Sequence, residues 1–168
     1  MTRSMRFVSI VVCGALLSLS CTGPVLVCSN PLDAGQFGFT LTVPDGFACT
    51  YSAAAWNINP PAAAILIWTN EGTQTMLTLT VFDLSQGNVP ALPSGLTFTA
   101  LDDYVTSGLT FTLTRGDPPA GSEVEGAYYV AEANLPSGAY SIRMILIVEQ
   151  AGDAALATLQ TALDGVAL

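Results

Sequence analysis

Phe37-Gly-Phe-Thr-Leu-Thr-Val43 places an apolar side chain at every second position. A repeat of two is the repeat of extended backbone, so Phe37, Phe39, Leu41 and Val43 share one face of a strand. Pro44-Asp45-Gly46 follows as a tight-turn signal, and Phe47, Cys49 and Tyr51 resume the alternation, which predicts a hairpin. Ala63–Thr69 is an apolar run of strand length. After an Asn70-Glu71-Gly72 turn, Gln74–Leu84 is its expected partner, with Leu77, Leu79 and Val81 set between threonines. Thr110–Arg115 alternates again. Val124–Asn134 and Ala139–Glu149 flank Leu-Pro-Ser-Gly and predict the longest hairpin, with Arg143 inside its second strand. So many alternating segments commit the chain to a sheet.

Two stretches follow a helical period instead. Leu101, Tyr104, Val105, Gly108 and Leu109 fall at i, i+3, i+4, i+7 and i+8, with Thr99 as N-cap and Asp102 in the first turn. Gly152 ends the last hairpin. Asp153 can then cap a helix that aligns Leu156, Leu159 and Leu163 and stops at Gly165, with Val166 and Leu168 packing back. Ser52–Pro61 is a connector and Ser85–Gly95, with its prolines and glycines, a loop. There is no repeat and no second-domain boundary. The expectation is one α+β domain over 37–168: a single antiparallel sheet flanked by about two helices.

The order of these elements resembles a family. Phe37-Gly-Phe-Thr-Leu-Thr-Val-Pro-Asp-Gly-Phe47 is similar to the "F-x-F-x-x-P-x-G-W" opening of Mog1/PsbP-like domains, with Phe47 where the family has Trp. The hairpin over 65–84, Leu101-Asp-Asp-Tyr104, Val124-Glu-Gly126 and the C-terminal helix fall in a similar order. The resemblance extends to LpqN-type bacterial lipoproteins. It implies a sheet flanked by helices and a binding or assembly role, and it supplies no catalytic residues.

The first residues decide the compartment. Arg3 and Arg6 precede Phe7–Leu19, a mostly apolar run of 13 residues. A membrane-spanning helix needs about 20 such residues, so the run suits the core of a secretory signal. It ends Leu17-Ser-Leu-Ser-Cys21, which resembles the bacterial lipoprotein signal, where cleavage leaves a lipid-bearing cysteine. Residues 1–20 are therefore expected to be a signal peptide, and 21–36 a lipidated N-terminus and tether with a turn at Asn30-Pro31. Ser18-x-Ser20 also satisfies an ordinary cleavage site, which would make the protein secreted. An uncleaved anchor could run on to Val27, although Gly23-Pro24 interrupts it.

Cysteine arithmetic bears on that choice. Cys13 leaves with the signal, and lipid on Cys21 leaves Cys28 and Cys49 as an even pair for a disulfide in an oxidising space. Two buried thiols are the alternative.

Removing the signal leaves about 148 residues, enough for one domain that buries roughly 70% of its unfolded surface. The net charge is −9, with no lysine and no histidine. Loss of Arg3 and Arg6 makes the exported chain more negative still. Nucleic acid needs clustered Lys or Arg and is excluded as a partner. Any membrane contact is left to acyl chains, since anionic lipid would repel the chain.

The absence of His and Lys removes Ser-His-Asp and Cys-His catalysis, Schiff bases and imidazole metal ligands. No phosphate loop occurs. Asp102-Asp103 could act as acid and base or bind calcium, yet both suit a helix N-terminus. Glu123 and Glu125, with Glu132 opposite, could ligate a hard cation or form a solvated strand face. Trp56 and Trp68 could stack on sugar or peptide, or fill the core. Arg143 reads as an inward-facing partner for an acidic side chain. No catalytic, cofactor or metal site emerges. The expected function is that of an exported, lipid-anchored protein with a non-catalytic binding or assembly role at the cell envelope, with a possible protein partner there. A carboxylate-dependent glycan hydrolase is the alternative.

Overall fold

The computed structural model describes residues 26–54, 61–120 and 126–168. In chain order they form β1 (Leu32–Ala34), a 3-10 turn (Gly35–Phe37), β2 (Phe39–Leu41), β3 (Ala48–Ala53), β4 (Ala62–Asn70) and β5 (Thr75–Asp83). There follow β6 (Thr97–Ala100), β7 (Tyr104–Thr106), β8 (Leu109–Asp117), β9 (Ala127–Asn134), β10 (Tyr140–Val148), α1 (Asp153–Asp164) and β11 (Val166–Ala167). An eight-stranded sheet runs β3-β4-β5-β10-β9-β8-β6, with β7 also on β8, and a three-stranded sheet runs β1-β2-β11. Every pairing is antiparallel.

This corrects the expected fold class of a single sheet flanked by about two helices. Strands hold 49% of the structure against 11% helical, in two sheets with one α-helix. The helix expected over 99–109 is extended chain instead. Thr97–Ala100 pairs with the end of β8, and Tyr104–Thr106 folds back on its start. Ser107 and Gly108 both adopt positive φ, at 50° and 78°, the geometry of a two-residue type I′ hairpin turn. Thr97, Thr99, Val105 and Thr106 are β-branched and favour strand. The apparent helical stripe is no buried face, since Val105 is 70% exposed.

The first predicted hairpin is also corrected. Phe39 and Leu41 are buried as expected, but β2 pairs with β1 and β11 rather than with β3. The Pro44–Gly46 turn therefore carries the chain from the small sheet to the large one. Asn30, beside a cis Asn30-Pro31 bond, acts as a partner for the end of β2. Its amide donates to the Val43 carbonyl and accepts from the Val43 N–H, each at 3.0 Å. Leu26, Leu32 and Ala34 are buried, so the described part of the expected tether belongs to the packed unit.

The small sheet and α1 cover one face of the large sheet. Leu32, Phe39, Leu41, Leu159, Leu163 and Val166 meet Leu66, Trp68, Leu77, Leu79, Met144 and Leu146 in one core. The N-cap is Gly152, one residue ahead of the predicted Asp153, which instead opens the first turn of the helix. It presents Ala155, Leu159, Ala162 and Leu163 inward. Gly165 then passes so close to β2 that a Cβ there would lie 2.0 Å from the Thr42 carbonyl oxygen. Val166 packs back as expected, whereas Leu168 is exposed.

On the other face, residues 84–96 cross from β5 to β6 over the strands between them, which the strand order requires. Val89 packs against the buried pair Ala62 and Phe82, and the Pro90 carbonyl accepts from Arg143.

Candidate functional site

Three turns meet at one end of the large sheet beside α1. The β2–β3 turn supplies Asp45 and Phe47, the β4–β5 turn Asn70, Thr73 and Thr75, and the exit of β10 Glu149 and Gln150. With Thr158 and Thr161 of α1 they line a cleft of ≈ 470 Å³. The register explains the convergence, because Ala48 faces Thr69 across β3–β4 and Asn70 faces Thr75 across the next turn.

The hydroxyls of this cleft are held by internal bonds. Thr75 donates to the Thr73 carbonyl, Thr73 donates to the Thr75 hydroxyl, and Thr158 and Thr161 donate to Ala154 and Ala157. Donating inward leaves the oxygen lone pairs of Thr73, Thr158 and Thr161 available to an incoming ligand's hydroxyl, while Thr75 accepts from Thr73. Asn70 Oδ1 accepts the Thr73 N–H at 3.2 Å, which fixes its amide in the turn. Asp45 and Glu149 are exposed carboxylates, and Phe47 supplies a partly buried ring. Among the described residues the lining has no cation. Such a surface suits a neutral, hydroxyl-rich ligand, with carboxylates accepting from sugar-like hydroxyls and the ring packing on a C–H face.

The residues singled out by sequence lie elsewhere. Cys28 and Cys49 form the expected disulfide, with Cα atoms 6.0 Å apart. It ties the first described residues to β3, where the Ser52 hydroxyl also donates to the Leu26 carbonyl. Asp102 and Asp103 are exposed between β6 and β7, so the helix they were expected to cap does not exist. Trp68 is buried in the core at 2% exposure. Arg143 pairs with an acidic residue, as expected, but on the face turned away from the main core. Its Nε donates to Glu132 at 2.5 Å and its guanidinium lies 5.2 Å from the centre of the Phe82 ring. Glu132 is thereby held by an arginine. Cys21, Trp56, Glu123 and Glu125 lie outside the described residues. Among the described residues no cluster of three or more His, Cys, Asp or Glu could hold a metal.

Two further ionic contacts shape the surface. Arg115 donates two bonds to Asp117, which holds its guanidinium protonation above the ordinary range. Tyr104 donates to the carboxylate of Asp164 at the end of α1, at 2.9 and 3.0 Å, and that hydrogen bond raises the tyrosine pKa. Both arginines that follow the expected signal are therefore in ion pairs.

The cleft residues were visible in the sequence only as separate turns: Pro44-Asp45-Gly46, Asn70-Glu71-Gly72 and the break at Gly152. What brings them together is the strand order, which no local pattern carries. Among known proteins, no family model and no curated sequence matches the chain.

Proposed function

We propose that this chain is an exported bacterial protein, held at the cell envelope by acyl chains on Cys21, that binds a polar ligand or partner without transforming it. The cleft carries the binding role. Its groups are hydroxyls, amides, the carboxylates of Asp45 and Glu149 and one aromatic ring, which recognise by hydrogen bonding and stacking. The anchoring role is supported by the disulfide, because Cys28 and Cys49 consume each other and leave Cys21 as the odd cysteine of the mature chain. Leu26 is already buried, and five residues reach at most about 18 Å when extended, so the domain would ride close to the membrane. Among the described residues no helix is long and apolar enough to cross a membrane. The pairing of Arg115 and Arg143 leaves neither as an open contact for nucleic acid or anionic headgroups.

A glycan hydrolase remains the second reading, on one observation: Asp45 and Glu149 line the same cleft beside Phe47. Such enzymes work with two carboxyl groups across the scissile bond. Titration calorimetry of the mature chain against a panel of neutral glycans should show binding that Asn70→Ala and Phe47→Ala weaken. Turnover lost in well-folded Asp45→Asn or Glu149→Gln would replace binding with hydrolysis. For the anchor, metabolic acyl labelling should disappear in Cys21→Ser, and an unlabelled, freely secreted wild type would overturn it.

A further inference from the structure

We propose that the outer face of the large sheet, the one turned away from α1, is a self-association surface on which a second copy of this chain packs face to face.

From Met144 to Val148, β10 is apolar on both sides, and on its outer side Thr69, Thr78 and Thr114 of the neighbouring strands are interspersed with the apolar residues. In β10, Ile142, Met144 and Leu146 enter the core while Ile145 and Ile147 point the other way. Cross-strand register extends that outer set into two rows. Met76, Ile147 and Tyr128 form one, and Ile67, Thr78, Ile145 and Val130 form the next. Ile67, Met76, Tyr128, Ile145 and Ile147 are partly exposed, Val130 among them is buried, and none of the six belongs to either buried core cluster. Strands apolar on both sides are characteristic of sheets covered on both faces, whereas a solvated sheet face alternates with polar residues. Here α1 and the small sheet cover one side. The crossing segment 84–96 is fixed over the other at Phe82 and Arg143, in the direction of Ile65 rather than of Met76 and Ile147.

Charge selects the occupant. At −9 without a lysine, two copies repel one another over most of their surfaces. Among the described strand residues on the outer face, the ionised pair is Arg143 with Glu132, which neutralise each other. The middle of this face, away from Glu71 beside Met76, is thus where two copies can meet with the fewest like charges brought together. A basic partner would be drawn to the acidic turns, and an anionic lipid surface would be repelled. A neutral sheet face is also self-complementary under a two-fold axis, with sheets about 10 Å apart and roughly aligned. Four inter-strand spacings by two two-residue steps give about 260 Å² per copy, near a third of a standard interface of about 800 Å² per partner. The dimer is therefore a weak, reversible one.

The test is sedimentation equilibrium of the mature chain carrying Cys21→Ser, from micromolar to millimolar concentration, with Thr78→Lys and Thr78→Glu beside it. Thr78 sits between Ile67 and Ile145 in the register, and its replacement leaves the core untouched. The parent should dimerise with concentration. Each variant alone should raise the dissociation constant at least about tenfold, and mixing the two should restore association through opposite charges. Circular dichroism matching the parent keeps misfolding apart from loss of contact. A parent that stays monomeric, or dimers indifferent to both variants, would overturn the proposal. So would a monomer that binds neutral phosphatidylcholine vesicles through the same face, which would make lipid the occupant.

Discussion

The two faces of the large sheet are built from the same strands and end in different states. On the inner face Leu66, Trp68, Leu79, Met144 and Leu146 are at most 2% exposed, sealed by α1 and the small sheet. On the outer face Ile67, Met76, Ile145 and Ile147 keep part of their surface in water. Both faces carry large apolar side chains, although Thr69, Thr78 and Thr80 are interspersed on the outer one, so composition alone does not decide burial. The difference lies in what the connections deliver: among the described residues, β2, α1 and β11 return to the inner side, while the outer side receives the crossing segment 84–96. Stability should therefore be concentrated on one face and the capacity for contact on the other.

The largest effect should come from breaking the inner face. Leu79→Ala leaves a cavity at a fully buried site and should cost about 2–5 kcal/mol, whereas Ile147→Ala should cost under about 1 kcal/mol. Urea denaturation of both would resolve this, and equal losses would mean that the faces are equally packed.

Removing the staple between the N-terminal segment and β3 comes next. Cys28 and Cys49 are separated by 21 residues, and closing such a loop is worth about 3 kcal/mol in the chain-entropy model. Thermal melting of the Cys28→Ala/Cys49→Ala double variant should show that loss. Alkylation of the native protein without reductant should leave both cysteines unmodified.

A smaller effect is expected beneath the crossing segment. Arg143→Leu strands Glu132 there at a cost of about 1–2 kcal/mol, moderated because that carboxylate is 35% exposed. Adding Glu132→Leu should recover part of the loss, since an apolar pair leaves no unpaired charge behind. Failure of the double variant to improve on the single one would show that the Pro90 contact, not the ion pair, holds the segment down.

The smallest is a pH effect where β7 meets α1. The Asp164 hydrogen bond raises the pKa of Tyr104 above its ordinary value of 10.0. A raised folded-state pKa means that the contact is intact at neutral pH and lost as pH rises through the raised value. Phenolate absorbance in an alkaline titration should show one tyrosine titrating late, and Tyr104→Phe should remove that component.

Much of the strand content was legible because Leu77, Leu79 and Val81 alternate with threonine, and because Gly and Pro mark most ends. The disulfide was legible from counting. The helix over 99–109 was misread because Leu101, Tyr104, Val105 and Leu109 satisfy a helical spacing by coincidence. The β-branched residues around them and the Ser107-Gly108 turn pointed the other way. The partner of β2 was not legible, since Leu32 lies in the stretch read as a tether and Val166 lies at the far end of the chain. The cleft was missed for the same reason.

The position of β10 between β5 and β9 has a kinetic consequence. β5 is made early, yet its neighbour on that side arrives only after β6, β7, β8 and β9 have been synthesised. Until then the apolar edges of β5 and β9 have no partner, and the two halves of the large sheet are joined only through the crossing segment. Insertion of β10 zips both ladders at once, a long-range closure of the kind that folds slowly. A chain with this topology therefore keeps its large sheet open until its last strand arrives.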